Sequence, residues 1–267
     1  MRVGISAKPD LGDLDKIVDR IEKALEGNEV LYDTDPAQIL NREGTPIEEM
    51  DVDFIITIGG DGTILRAFQR STAKLLGINA GVMGFLTEVS LENIETALKR
   101  VLSDDYKLDE RIKLKIQVDG KRLFDCLNEV VVHTAQVAKM RHFKISIDGS
   151  VADDFRADGL MVATPTGSTS YAMSAGGPII DPRVKAMVMV PIAPFKLSGR
   201  PLVVPARSSI GITLEKPKEC HAVLDGQEIV ALNGDEKLEI TESENKAKFI
   251  RFQEDFYARF MEKLGSQ

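Results

Sequence analysis

The chain has 267 residues, of which 43% are hydrophobic, and a formal net charge of -8. That length and apolar share suit two modest domains with cores of their own and exclude a disordered chain. The acidic balance excludes nonspecific nucleic-acid binding, which draws on many Lys and Arg contacts to phosphate.

Met1 is followed at once by "RVGIS", which reads as a first strand rather than a leader, and no run of about 18 apolar residues comes after it. A soluble, cytoplasmic protein with no membrane contact is expected. "LGDLDKIVDRIEKALEG" then sets Leu14, Ile17, Val18, Ile21 and Leu25 on one helical face and stops at Gly27. "EVLYD" predicts the next strand, and the residues up to Glu49 are mixed. "DFIITI" is a buried strand with a helix behind it in "TILRAFQRS". "KLLGIN" is a further strand, and "LENIETALKRVL" a helix that Ser90 would cap. Strands alternating with helices predict a parallel sheet covered on both faces, an α/β domain over residues 1–104.

The pattern changes from residue 105. "KLKIQVDGKRLFDC", "HFKISIDGSVADDF" and "HAVLDGQEIVAL" each set Asp-Gly between two alternating apolar runs. Asp-Gly tolerates the positive backbone angles of two-residue hairpin turns, so a mostly antiparallel domain is predicted over 105–247. In the last segment, 248–267, Phe252, Phe256, Phe260 and Leu264 recur every four residues. This is a helical stripe that packs against the protein, because its opposite face mixes both charge signs instead of being basic. Cys126 and Cys220 are too far apart for a disulfide framework and read as buried thiols. His133, His142 and His221 form no short-spaced cluster, so no metal site built on protein ligands is expected.

One turn stands out. The strand "DFIITI" runs into Gly59, Gly60, Asp61, Gly62 and Thr63. Glycines there let exposed N–H groups approach a phosphate, and the positive end of the following helix adds to an anion cradle. Such a cradle gains nothing from a carboxylate at its centre unless that carboxylate works. Two tasks fit Asp61: accepting the proton of an attacking hydroxyl, or helping to position a Mg²⁺ that bridges phosphate oxygens. Neither the lysine-containing P-loop nor the GxGxxG dinucleotide turn is present. Arg66, one helical turn on, would sit near the phosphates.

A second constellation lies further along. Asn128 and Glu129 are strand neighbours that point to opposite faces, so at least one must meet solvent or a ligand. A short strand, "LMVAT", leads into "PTGSTSYAMSAGGP", where Thr166, Ser168, Thr169, Ser170 and Ser174 crowd a potential helix start. One hydroxyl can cap a helix, but not all of them. Together with the ring of Tyr171 they suit a ligand with sugar hydroxyls and a planar base. Arg156 and Asp158 stand on the approach to this block.

"GGDGT" at 59–63, "NE" at 128–129, "DG" at 158–159, "TPTGSTSYAMSAGGPI" at 164–179 and "LDGQ" at 224–227 together resemble NAD kinase. That family phosphorylates NAD⁺ to NADP⁺ with ATP, and the resemblance spans nearly the whole chain. "GGDGT" by itself is similar to a motif of lipid kinases and phosphofructokinases; the hydroxyl-rich block is far more specific. "PIAPF" at 191–195 is similar to archaeal members. The resemblance implies an N-terminal Rossmann-like α/β domain, a C-terminal β-sandwich domain, and a terminal segment packing back on the N-terminal domain. It makes Asp61 the proton acceptor for the 2′-hydroxyl of the adenosine ribose and brings Gly59, Gly60, Gly62 and Thr63 to phosphates. Asn128, Glu129, Asp158, Thr169, Ser170, Tyr171, Ala172, Met173 and Ser174 would hold the dinucleotide. Lys139, Arg156, Thr166 and Gln227 would support it. It further implies Mg²⁺ with ATP, no tightly bound organic cofactor, and a homodimer or homotetramer. The competing readings are a lipid or sugar kinase of the GGDG group and a non-catalytic dinucleotide-binding regulator.

Overall fold

The structure, a computed structural model, describes residues 1–81, 84–136, 139–195, 199–252, 256–257 and 260–261. The chain divides into two compact units, Met1–Glu110 with Ala247–Gln267, and Arg111–Lys246.

The first unit follows the alternation of the sequence: β1 (Arg2–Ala7), α1 (Leu14–Ala24), β2 (Glu29–Tyr32), α2 (Thr34–Leu40), β3 (Phe54–Gly59), α3 (Asp61–Arg70), β4 (Lys74–Asn79), β5 (Val89–Ser90) and α4 (Ile94–Leu102). The strands are parallel and lie in the order β2-β1-β3-β4. β3 is buried along its whole length, as a strand with both faces covered must be. Leu14, Ile17, Val18, Ile21 and Leu25 close one face of this sheet together with Ile94, Leu98 and Val101 of α4. Near the end of the chain, Lys248 and Phe249 pair in parallel with Lys74 and Leu75, and Phe249 meets Phe68 of α3 edge to face at 4.8 Å. Ser90 does not cap α4 as expected. A 3-10 turn, Leu91–Asn93, intervenes, and the Ser90 hydroxyl accepts from Asn93 instead. Phe256 and Phe260 of the C-terminal stripe stack at 6.0 Å, whereas Leu264 lies outside the described residues.

The second unit is built from strands. These are β6 (Lys107–Val118, whose first residues belong to the other unit), β7 (Lys121–Arg122), β8 (Glu129–Thr134), β9 (Arg141–Ile147), β10 (Ser150–Ala157) and β11 (Gly159–Ala163). After the short helix α5 (Tyr171–Ser174) come β12 (Ala186–Ile192), β13 (Leu202–Pro205), β14 (Ile210–Leu214), β15 (Cys220–Leu224), β16 (Glu228–Leu232) and β17 (Leu238–Arg251, whose last residues belong to the first unit). An antiparallel six-stranded sheet, β13-β12-β11-β8-β15-β16, turns Val130, Val132, Leu160, Val162 and Met189 toward Leu114, Ile116, Phe143, Ile145, Ile210 and Ile212 of the strands opposite. This is a β-sandwich. Cys126 and Cys220 are buried free thiols within it.

Asp119-Gly120 and Asp148-Gly149 make the predicted two-residue hairpins, with positive φ at both positions. The third Asp-Gly departs from that expectation. Leu224 pairs with Glu228, so Asp225, Gly226 and Gln227 form a three-residue loop. The cause is the Asp225 carboxylate, which is turned inward to bind backbone amides.

Candidate active site

In open α/β sheets ligands bind beyond the carboxyl ends of the strands where the winding reverses, here between β1 and β3. Gly59 and Gly60 leave β3 at that point. A Cβ on Gly59 would lie 2.4 Å from the Thr63 hydroxyl, so a side chain there would break the turn. A Cβ on Gly60 would meet nothing within 4 Å. The protein itself does not demand glycine at Gly60, and what the missing side chain leaves free is access to the backbone. Gly62 and the buried Thr63 lie in the first turn of α3, with the Thr63 amide donating to Gly60 O at 3.1 Å.

Asp61 is the first residue of α3, where the helix dipole favours a negative charge. Its Oδ2 accepts the amide of Phe85 at 2.8 Å and its Oδ1 the amide of Leu86 at 3.0 Å. An ionised carboxylate offers about four lone-pair sites, so each oxygen keeps one for a proton or a cation. A Cβ on Gly84 would lie 1.9 Å from Asp61 Oδ1; glycine there is what lets the carboxylate seat against the 85–86 amides. Arg66 is engaged elsewhere. Its guanidinium pairs with Asp35 at 2.7 Å and donates to Ala7 O at 3.0 Å, beside a cavity of about 230 Å³ that it lines with Asp33, Glu48 and Arg70.

In the second unit Asn128 and Glu129 are both buried, so neither spends its polar group on solvent, which leaves a ligand as the other partner expected for one of them. Their backbone is held by Asp225, whose carboxylate accepts the amides of Leu127, Asn128 and Glu129 at 2.8, 2.8 and 3.0 Å. Asn128 Oδ1 and Glu129 Oε2 are buried without a hydrogen-bond partner among the described residues, the condition of polar groups kept for a ligand. Burial, with Asp225 beside it, pushes the Glu129 carboxyl up to about 8. Burial also raises Asp225, to about 6, but its three amides and the ammonium of Lys113 pull the other way. Three amide donors favour the charged form of Asp225, and of the two it is Glu129, with no donor on its buried Oε2, that holds a proton more tightly.

The hydroxyl-rich block packs onto this pair. A Cβ on Gly167 would lie 2.2 Å from Asn128 O, so only glycine admits the contact. Part of the hydroxyl surplus goes into shaping the loop: Ser168 donates to Pro165 O and accepts from Ile180 N, Thr169 donates to Thr166 O, and Thr166 accepts from Arg111. Ser170 is half-buried and Ser174 exposed. Beside them Tyr171 is exposed, Ala172 buried and Met173 half-buried. Asp158, between β10 and β11, is tied through its backbone to Thr134 and Ile192. Arg156 lines a different space, a cavity of about 430 Å³ rich in cations from Arg141, Lys216 and Lys218. Lys139 is exposed, and its carbonyl accepts from Arg141; the Gln227 side chain reaches back to Asp225 O.

Sequence reasoning missed Gly84, Asp225 and Lys113. Asp225 was read as part of an Asp-Gly hairpin and within "LDGQ", and neither reading pointed to its carboxylate. Gly84 and its neighbours "GFLT" matched neither a strand nor a helix pattern.

A glycine turn at a helix start, with a carboxylate held in its mouth, is the equipment of a phosphotransferase. Comparison with known proteins narrows the class. Residues 15–106 match the model of the ATP-NAD kinase N-terminal domain and residues 127–252 that of the C-terminal domain. An NAD kinase of Methanothermobacter thermautotrophicus is 45% identical, covering 99% of this chain and 96% of its own. One of Thermococcus kodakarensis is 43% identical over the full length of both. Among solved structures, yeast NADH kinase complexed with NADH superposes with a TM-score of 0.91 at 25% identity, covering 100% of this chain and 87% of that one. An NAD kinase from Archaeoglobus fulgidus in complex with ATP gives 0.81 at 34% identity, covering 99% and 98%. The chain belongs to the NAD kinase family. The lipid- or sugar-kinase and regulator readings are not favoured.

Proposed function

We propose that this protein transfers the terminal phosphoryl group of ATP to the 2′-hydroxyl of the adenosine ribose of NAD⁺, forming NADP⁺ and ADP. The observation that carries the reading is Asp61, fixed at the head of α3 by the amides of Phe85 and Leu86 with lone pairs to spare. Asp61 takes the proton of the 2′-hydroxyl as its oxygen bonds to the γ-phosphorus. The bond to the bridging oxygen breaks, and the negative charge leaves with ADP. Gly59, Gly60, Gly62 and Thr63 present backbone donors to the phosphates, so transfer asks mainly for alignment and charge neutralisation. Asn128, with the protonated Glu129, and Asp158 bind the dinucleotide. Thr166, Thr169, Ser170, Tyr171, Ala172, Met173 and Ser174 form the wall of its site. Lys139, Arg156 and Gln227 support its charged or polar ends, and Arg66 acts at one remove from the phosphates.

No group of three or more His, Cys, Asp or Glu side chains fit to hold a metal exists among the described residues. Mg²⁺ suits such a site when it arrives on a nucleotide, since it keeps phosphate and water ligands and takes about one or two carboxylates from protein. Asp61 is the carboxylate that fits. The ion would spread the charge of the phosphate oxygens.

No helix among the described residues is long and apolar enough to cross a membrane. The buried free thiols suit a reducing compartment, which supports the cytoplasm as its location. Exposed Ile229 on edge strand β16, with Leu202 and Val203 on edge strand β13, supports a homo-oligomer, which light scattering on the purified protein would test. The function itself is tested by incubating the purified protein with NAD⁺, ATP and Mg²⁺ and assaying NADP⁺. Parallel reactions with NADH and with inorganic polyphosphate read acceptor and donor choice. Saturable NAD⁺ binding without NADP⁺ formation overturns the proposal.

A further inference from the structure

A buried ion cluster lies directly behind the loop that seats Asp61. Arg251, at the end of β17, is 3% exposed, and its Nη1 donates to Leu86 O at 2.9 Å and pairs with Glu88 Oε2 at 3.0 Å. The other Glu88 oxygen accepts the amide of Phe252 at 2.7 Å, and the Glu88 amide donates to Gly77 O of β4 at 2.8 Å. Asp109 adds a second carboxylate 3.5 Å from Arg251 Nε. Leu86 is thus gripped from both sides: its carbonyl by Arg251, its amide by Asp61 Oδ1.

A buried ion pair is poor value as a source of stability, because desolvating the two charges cancels most of their attraction. It is well suited to holding one geometry among several. We infer that Arg251 is a positioning residue for the reaction: through Leu86 it sets the depth and angle of the 85–86 amides, and through them the orientation of the Asp61 carboxylate. The planar guanidinium is required, since its Nη1 must reach the Leu86 carbonyl and the Glu88 carboxylate while its Nε faces Asp109, and a lysine ammonium on a flexible stem does not reproduce that. Nothing in the sequence spacing links Arg251 to Asp61. Strand pairing of Lys248 and Phe249 with β4 brings them to one loop.

The inference rests on Asp61 acting as proposed above, and a double-mutant cycle separates the two. Arg251→Lys keeps the charge and is expected to lower kcat about tenfold with both KM values changed less than about twofold, the pattern of a misaligned reacting group. In an Asp61→Asn background the same substitution is expected to change the residual rate less than about twofold, since residues acting through one group are non-additive. Glu88→Gln, which loosens the anchor of Arg251 while preserving shape, repeats the cycle if Arg251→Lys does not fold. Equal losses of kcat in both backgrounds, or a loss seen only in KM, overturn the role of Arg251. If Asp61→Asn itself leaves turnover intact, it is the proposed function of Asp61 that fails.

Discussion

The two units use one device to opposite ends. In the α/β unit the Asp61 carboxylate accepts two consecutive backbone amides and remains partly open. In the β-sandwich unit the Asp225 carboxylate accepts three and is 4% exposed. A carboxylate whose lone pairs are spent on the fold is an anchor, and one that keeps some for a visitor is a reagent. The difference teaches that an aspartate in a glycine turn cannot be assigned by its motif: Asp61 and Asp225 both sit beside glycine. What separates them is burial and the count of donors.

The sharpest way to break this comparison is Asp61→Asn. Turnover is expected to fall by about 10² to 10⁴, the contribution of a general base, with NAD⁺ affinity by calorimetry unchanged. Asp225→Ala should do the reverse. It strands three buried amides and removes one of the carboxylates near Lys113, so a loss of about 3 to 5 kcal/mol is expected in urea unfolding, in line with breaking a buried charge network. Were Asp225→Ala stable but inactive, the anchor and reagent roles would have to be exchanged.

Glu129 refines the picture through pH. Its carboxyl is raised from the ordinary 4.5 to about 8, so between those values the folded protein holds a proton that the unfolded chain releases. Stability is therefore present at acid pH and lost as pH rises through that window, at a slope of about 1.4 kcal/mol per pH unit from this group. Asp225, raised to about 6, adds to the decline in the lower part of the window. Glu129→Gln should flatten the slope of unfolding free energy between pH 6 and pH 8, measured by urea titrations at several pH values. The smallest expected structural effect is that of Gly60→Ala. With nothing within 4 Å of the new Cβ, its stability should shift by less than about 0.5 kcal/mol. A raised KM for ATP in that variant would mark the turn as a phosphate cradle, and an unchanged KM would reduce it to a bend in the chain.

Much of the architecture is legible in residue patterns because periodicity reports burial directly. The face of α1 from Leu14 to Leu25, the uninterrupted apolar run of β3 and two of the three Asp-Gly hairpins follow from local spacing alone. The hydroxyl-rich block was legible as unusual, but not in its use: Ser168 and Thr169 turn to backbone carbonyls, a choice made by where Pro165, Thr166 and Ile180 lie. Ser90 misled because a capping residue type is necessary for a cap and not sufficient; the intervening 3-10 turn withdrew its hydroxyl.

By itself the sequence determined the alternation of the first unit, the strand-rich character of the second, and the presence of a carboxylate in a glycine turn, since each depends on neighbours a few residues apart. Only the tertiary structure decided that Asp61 is seated by residues 85 and 86, that Asp225 reaches back to Leu127, Asn128 and Glu129, and that Arg251 stands behind Leu86. Those contacts join residues remote in the chain through backbone amides and carbonyls. Every residue type carries such amides, apart from proline, and such carbonyls, so no side-chain pattern announces which of them will meet.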